Sequence, residues 1–473
     1  MTTMDGGSSP DYGESTRVDL EAGRSLHVGL LEALTRVMAS AKGYLGDHAP
    51  RVAILANRIG IEMGLPSAAC SELVFASTLA DMGMVGLAED AWENPKPELS
   101  DDARARVRQH PQRSEDRVRE IPHLEELAPL VRAHHEWWNG EGYPDGVSGD
   151  AIPLAAQILR LADTVTALAA RRPHRGALSA DAIEAYVREQ AGREFGPDVA
   201  GAWLSLHGDG RLPAFDQADY RDLVMGAAER ILPPEVAAPS SNQLLTIIAN
   251  LVDAKDPYTA GHSRRVALLA LAVADQLSVE GSLKSTLWSA GYLHDLGKVA
   301  VPLRVLAKDG SLTDEEFRYI RAHPGDGADI LGTIPALRHL TAGVRHHHER
   351  WDGRGYPDGL GGDDIPLEAQ IMAVCDTYDA MTSTRAYRSS LPSDYALQEI
   401  QRVSGTQFSP TVAEAFLAIP EDIFAGLHDS RPEAFKEIPE RVTTLRLIDP
   451  RWFTSGGPPE DEGQDPEPGG RNA

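Results

Sequence analysis

A set of five histidines and two aspartates stands out between residues 262 and 376: His262, the adjacent pair His294-Asp295, His323, the pair His347-His348, and Asp376. Nitrogen and carboxylate donors without a thiolate suit iron, manganese or zinc better than calcium or magnesium. An adjacent His-Asp pair also lets one carboxylate bridge two ions. A single inward histidine is more often a satisfied core residue than a ligand, so the inference rests on how many converge. Seven groups suffice for two metals.

Those side chains need helices to aim them. Val266, Leu269, Ala270, Val273 and Leu277 recur at helical spacing, and alternating strand-like runs are scarce. The expected fold class is all-α. His262 lies four residues before Val266, and His294 follows Leu287 and Ala290 by one or two turns, so both imidazoles share the apolar sides of their helices. Asp256-Pro257 followed by Thr259 reads as a helix start, and Gly297 as a stop after the run 283–295.

The chain is a tandem repeat. HHEWWNGEGYPDG at 134–146 recurs as HHERWDGRGYPDG at 347–359, an offset of 213. His48 pairs with His262 and Asp81 with Asp295 at offset 214, whereas His110, Asp163 and Phe195 pair with His323, Asp376 and Phe408 at offset 213. So long a period means a duplicated domain, not a solenoid. The expected division is a flexible tail over 1–22, a first domain over 23–230, a proline- and serine-bearing linker over 231–243, a second domain over 244–430, and an extension over 431–473, disordered from 455.

Across 473 residues, 42% are hydrophobic and 25% charged, enough to bury a sizeable core. The formal net charge of -26 argues against a nucleic-acid partner. A small anion remains acceptable where metals dominate the local field. With two cysteines, Cys70 and Cys375, no signal-like leader and no apolar run near the ~20 residues of a bilayer span, the expectation is a cytoplasmic protein without a membrane span.

HDLGK at 294–298, HHERWDGRGYPDGLGGDDIPL at 347–367 and CDTYDAMTSTRAYR at 375–388 together resemble the signature of the HD-GYP family over roughly residues 244–420. The resemblance implies an HD-superfamily helical fold in each copy, divalent metals, and hydrolysis of the signalling dinucleotide cyclic di-GMP to pGpG or GMP. It makes His262, His294, Asp295, His323, His347, His348 and Asp376 ligands, with Asp295 the bridge. Asp295 and Lys298 become catalytic, and Lys298, Arg385 and Arg388 meet substrate phosphates. Tyr356, in the loop DGRGYPDGLGG, stacks on a base or anchors the loop, and that loop is where a second copy or another protein would dock. Members with a third metal carry Glu where this chain has Tyr258, so two ions, iron or manganese before zinc, are expected. His346 is expected beside the site.

In the first copy HDLGK has become ADMGM, with Ala80 for His294 and Met84 for Lys298. Arg172 keeps the place of Arg385. The expectation is an active second copy and a non-catalytic first copy kept for regulation or structure. The alternatives are an HD-type hydrolase of another nucleotide, or a cyclic di-GMP sensor without turnover.

Overall fold

The computed structural model describes residues 12–41, 47–85, 100–171, 176–233, 238–255, 261–308, 310–383 and 390–427. Among them the regular structure is helical, apart from the isolated bridges Ala191 to Phe195 and Ser404 to Phe408. The first copy runs through α1 (Tyr12–Ala41), α2 (His48–Glu62), α3 (Ser67–Leu79), α4 (Asp101–Arg108), α5 (His110–Arg119), α6 (Ala128–Arg132), α7 (Leu154–Ala169), α8 (Ala180–Gln190), α9 (Pro197–Gly208) and α10 (Gln217–Ile231). The second runs through α11 (Ala238–Asp253), α12 (His262–Gln276), α13 (Gly281–Leu293), α14 (Leu303–Leu306), α15 (Asp314–Gly332), α16 (Thr341–His346), α17 (Leu367–Thr382), α18 (Ser393–Val403), α19 (Pro410–Leu417) and α20 (Glu421–Leu427). No helix among the described residues is long and apolar enough to cross a membrane.

The predicted boundaries shift. α1 begins at Tyr12, within the stretch expected to be a flexible tail; Gly6, Gly7, Ser8 and Ser9 lie ahead of it, whereas Gly13 and Ser15 fall in its first turn. The second half of the expected linker is the first turn of α11, with Ser241 fully buried. Pro239 and the serines after it are residues that helix starts favour, since a first-turn proline forfeits no intrahelical bond. The extension over 431–473 lies outside the described residues.

The two copies share one hydrophobic core. α1 packs along α11. Gly29 of α1 sits so near the second copy that a Cβ there would stand 3.1 Å from Ile334 and 3.2 Å from Ala336. Two hydrogen bonds cross in opposite directions: the Gln243 amide donates to the Glu120 carbonyl at 2.9 Å, and Arg221 donates to the Thr333 carbonyl at 2.8 Å.

Close helix approach is what the small residues of the HDLGK segment permit. A Cβ on Gly297 would lie 1.9 Å from the carbonyl oxygen of His323, and one on Gly83 would lie 2.3 Å from that of His110. Glycine alone lets the turn after α13 press against α15.

Candidate metal centre

Four of the predicted ligands are fixed by carbonyls that their own helices leave free or by a buried carboxylate. His294 and His347 stand at the C-caps of α13 and α16, where final-turn carbonyls lack intrahelical partners. Their Nδ1 atoms donate to Gly291 and Val344 at 2.8 and 2.7 Å. His323 lies inside α15, followed by Pro324. The proline has no N–H for the carbonyl of Ile320, so that oxygen accepts from His323 Nδ1 at 2.7 Å. His110-Pro111 repeats the device on Val107. His262 donates from Nδ1 to Asp379 at 2.7 Å, and Asp379 is held by Arg265 at 2.5 and 2.9 Å. In each case the other nitrogen, Nε2, is left to face the centre.

Those nitrogens converge. His262 Nε2 lies 3.2 Å from His294 Nε2 and 3.3 Å from Asp376 Oδ1. His323 Nε2 lies 3.4 Å from His347 Nε2. Asp295 stands between the two groups, with Oδ2 3.4 Å from His294 Nε2 and Oδ1 3.2 Å from His323 Nε2. Three sets have donor atoms all within 4.8 Å of one another: His262, His294 and Asp376; His323, His347 and His348; and His294, Asp295 and His347. The donor chemistry of these clusters fits divalent metal cations.

Protonation states agree with that fit. Burial, then the neighbouring His348, pushes His347 well below the ordinary histidine range, and burial with His323 beside it lowers His348 to about 3. Both are neutral bases. Burial opposes ionisation of Asp295 and Asp376, but Lys298 and His294 around the first and His262 beside the second outweigh it, and both carboxyls are held well below the usual range. His262 is the exception. Burial lowers it, yet its hydrogen bonds to Asp376 and Asp379 carry it to about 10.

Lys298 donates to Asp295 Oδ2 at 2.6 Å and so stands at the edge of the centre. Tyr356 packs its ring on that of His348, centroids 4.9 Å apart, as Tyr143 does on His135 in the first copy at 4.7 Å. Its loop is tied down by Glu349, which accepts from the backbone of Asp358 and Gly359 at 2.7 and 2.9 Å. His346 turns away to Asp358 at 2.9 Å. Arg385, Arg388, Tyr258 and Arg172 lie outside the described residues. The sequence reading missed Asp379 and Arg265. Their signal was spacing: each falls three residues after a predicted ligand, on the same helix face.

The first copy keeps half of this arrangement. His110, His134 and His135 still cluster, with Asp81 3.3 Å from His110. On the other side His48 bonds Asp163 directly at 2.8 Å, and buried Ala80 offers no ligand. Arg160, where the second copy has Ala373, donates to His135 Nδ1 and to Glu194, both at 2.7 Å. A neutral imidazole whose Nδ1 accepts carries its proton on Nε2.

Comparison with known proteins follows the same division. A family model described as HD domain matches residues 32–199 and 246–412. A 3'3'-cGAMP-specific phosphodiesterase of Vibrio cholerae is 32% identical over 333 residues, 69% of this chain and 68% of that protein. A cyclic di-GMP phosphodiesterase of Thermotoga maritima is 38% identical over 183 residues, 38% of this chain and 50% of that protein. Another from Pseudomonas aeruginosa is 39% identical over 218 residues, 46% of this chain and 50% of that protein. The match therefore spans half the length of the last two. A crystal structure of a cyclic GMP-AMP phosphodiesterase of V. cholerae shares the fold, with a TM-score of 0.58 over 88% of this chain and 98% of that one at 24% identity.

Proposed function

Because the chain belongs to the HD domain family, in its HD-GYP branch, we propose that its second copy is a metal-dependent phosphodiesterase that opens cyclic di-GMP to pGpG. The observation that carries this reading is Asp295, whose two oxygens face two separate groups of histidine nitrogens at 3.4 and 3.2 Å. His262, His294 and Asp376 would hold one ion and His323, His347 and His348 the other, with Asp295 shared. Two bound divalent ions, iron or manganese by donor type, supply Lewis-acid charge and acidify water at the scissile phosphate.

The chain's own groups do the rest. Asp379 and carbonyls freed from their helices keep Nε2 of His262, His294, His323 and His347 aimed inward, which fixes these ligands before substrate arrives. Lys298, already beside Asp295, places its charge against a phosphate oxygen. Arg385 and Arg388 are assigned the remaining phosphate contacts by the motif alone. Tyr356 orients His348 with one ring face. The first copy is read as non-catalytic, supported by Ala80, Met84 and the Arg160 contact on His135.

A second reading, 3'3'-cGAMP as substrate, is favoured by the V. cholerae relative that aligns across both copies. The test is hydrolysis of cyclic di-GMP, 3'3'-cGAMP and cyclic di-AMP by the manganese- or iron-loaded protein. Preferential cleavage of cyclic di-GMP is expected. A preference for 3'3'-cGAMP selects the second reading, and binding without cleavage of any of them leaves only a sensor.

A further inference from the structure

In the second copy the Asp379 carboxylate sits between Arg265 and His262 Nδ1. The repeat offsets put Thr166 at that place in the first copy, with Arg51 for Arg265 and His48 for His262. Removal of one carboxylate releases two partners at once. Arg51 is half exposed, faces Asp47 only at 3.9 Å, and lies over the Phe215 ring at 4.3 Å. His48 is 7% exposed, and its Nδ1 has no hydrogen-bond partner.

Both side chains line a cavity of about 480 Å³, and Thr166 lines it too. Ile54, Leu55, Val165 and Leu212 make its walls apolar, and Trp203, 1% exposed with an unpartnered Nε1, closes one side. Arg171 adds a second cation. The volume falls in the range of small-molecule sites, and the half-open cleft sets apolar walls beside a comparable share of polar groups. Among the described residues Asp47 is the one carboxylate on the lining, and at 3.9 Å it pairs only loosely with Arg51, so an anion in bidentate geometry can compete for the guanidinium.

We propose that this cavity binds a small organic anion, a single carboxylate or phosphate on a ring-sized apolar body, whose charged group occupies the place that Asp379 fills in the second copy. The site lies in the copy read as non-catalytic and does not depend on which cyclic dinucleotide the other copy cleaves. Occupancy would tie α2 to α7, the two helices that carry His48 and Asp163.

The test is calorimetric titration of the full chain with phenylacetate, GMP and inorganic phosphate, a readout independent of hydrolysis. Saturable binding of phenylacetate or GMP is expected, with phosphate weaker because it leaves the apolar walls uncovered. Arg51→Ala should weaken it by about tenfold or more. Thr166→Asp should do the same while preserving or raising Tm, because the restored carboxylate pairs with Arg51 and His48. Thr166→Val, which supplies no charge, should bind within about threefold of the wild type. The proposal is overturned if neither phenylacetate nor GMP binds saturably up to about 1 mM, if Thr166→Asp binds as the wild type does, or if Thr166→Val loses binding as fully as Thr166→Asp.

Discussion

Replacing Asp379 by Asn tests whether an unseen partner of His262 governs metal affinity. Asp379 is 2% exposed, touches no other predicted ligand in the hydrogen-bond network, and holds both His262 Nδ1 and Arg265. Its bond to His262 is charge-assisted, a class that contributes about 1.5–3 kcal/mol. At about 1.4 kcal/mol per factor of ten, that corresponds to about 10- to 100-fold in affinity. The same range is typical when an outer partner of a ligating histidine is lost. The assay is competition of Mn²⁺ between the protein and a fluorescent chelator over a pH series, so that proton release by His262 is factored out of the affinity, followed by hydrolysis at saturating metal. An affinity loss of that size is expected, with most of the turnover recovered at saturation because all seven donors remain. Affinity within twofold of the wild type would refute the view that Asp379 sets the ligand geometry.

Further outcomes follow from the same geometry. His294→Ala or Asp295→Ala should abolish metal loading and activity together while circular dichroism stays helical, since each supplies a donor no neighbour replaces. Gly297→Ala should lower stability by about 3 kcal/mol or more, read as a fall in Tm, because the added Cβ meets the His323 carbonyl. His262, at about 10 without metal, must release its proton on binding an ion, whereas His347 and His348 are already neutral. Apparent affinity should therefore rise with pH by about tenfold per unit between about 6 and 9, and a flat profile would remove His262 from the shell. Ala80→His with Met84→Lys should raise metal content only when Arg160→Ala accompanies them, as elemental analysis per chain will show.

Much of the centre was legible because ligand chemistry restricts residue type and helices restrict phase. The seven candidate ligands could be picked out by kind, six of them also by recurrence in the first copy, and the motif resemblance supplied their expected roles. Ala80 and Met84 were readable as departures from His294 and Lys298 for the same reason: the repeat supplied its own reference. Asp379 was not, since a carboxylate on a helix is usually solvated and its partner His262 is 117 residues away. Arg160 was hidden likewise, because nothing local says that a helical arginine folds back onto a histidine. The shared core was also hidden. Amphipathic spacing says that α1 and α11 bury a face, but not that each buries it against the other copy, and prolines that open helices look like linker residues when read by composition.

That shared core means a truncated half would expose the apolar faces of α1 and α11, so roles are best separated in the full chain. The most direct measurement compares His323→Ala with its repeat counterpart His110→Ala, each assayed for cyclic dinucleotide hydrolysis and for metal per chain. His323→Ala should lower the rate by about a thousandfold, the order seen when an electrostatic element of a catalytic site is removed, and should cost metal. His110→Ala should keep the rate within a few-fold. The reverse pattern, or full activity in His323→Ala, would contradict the assignment of catalysis to the second copy.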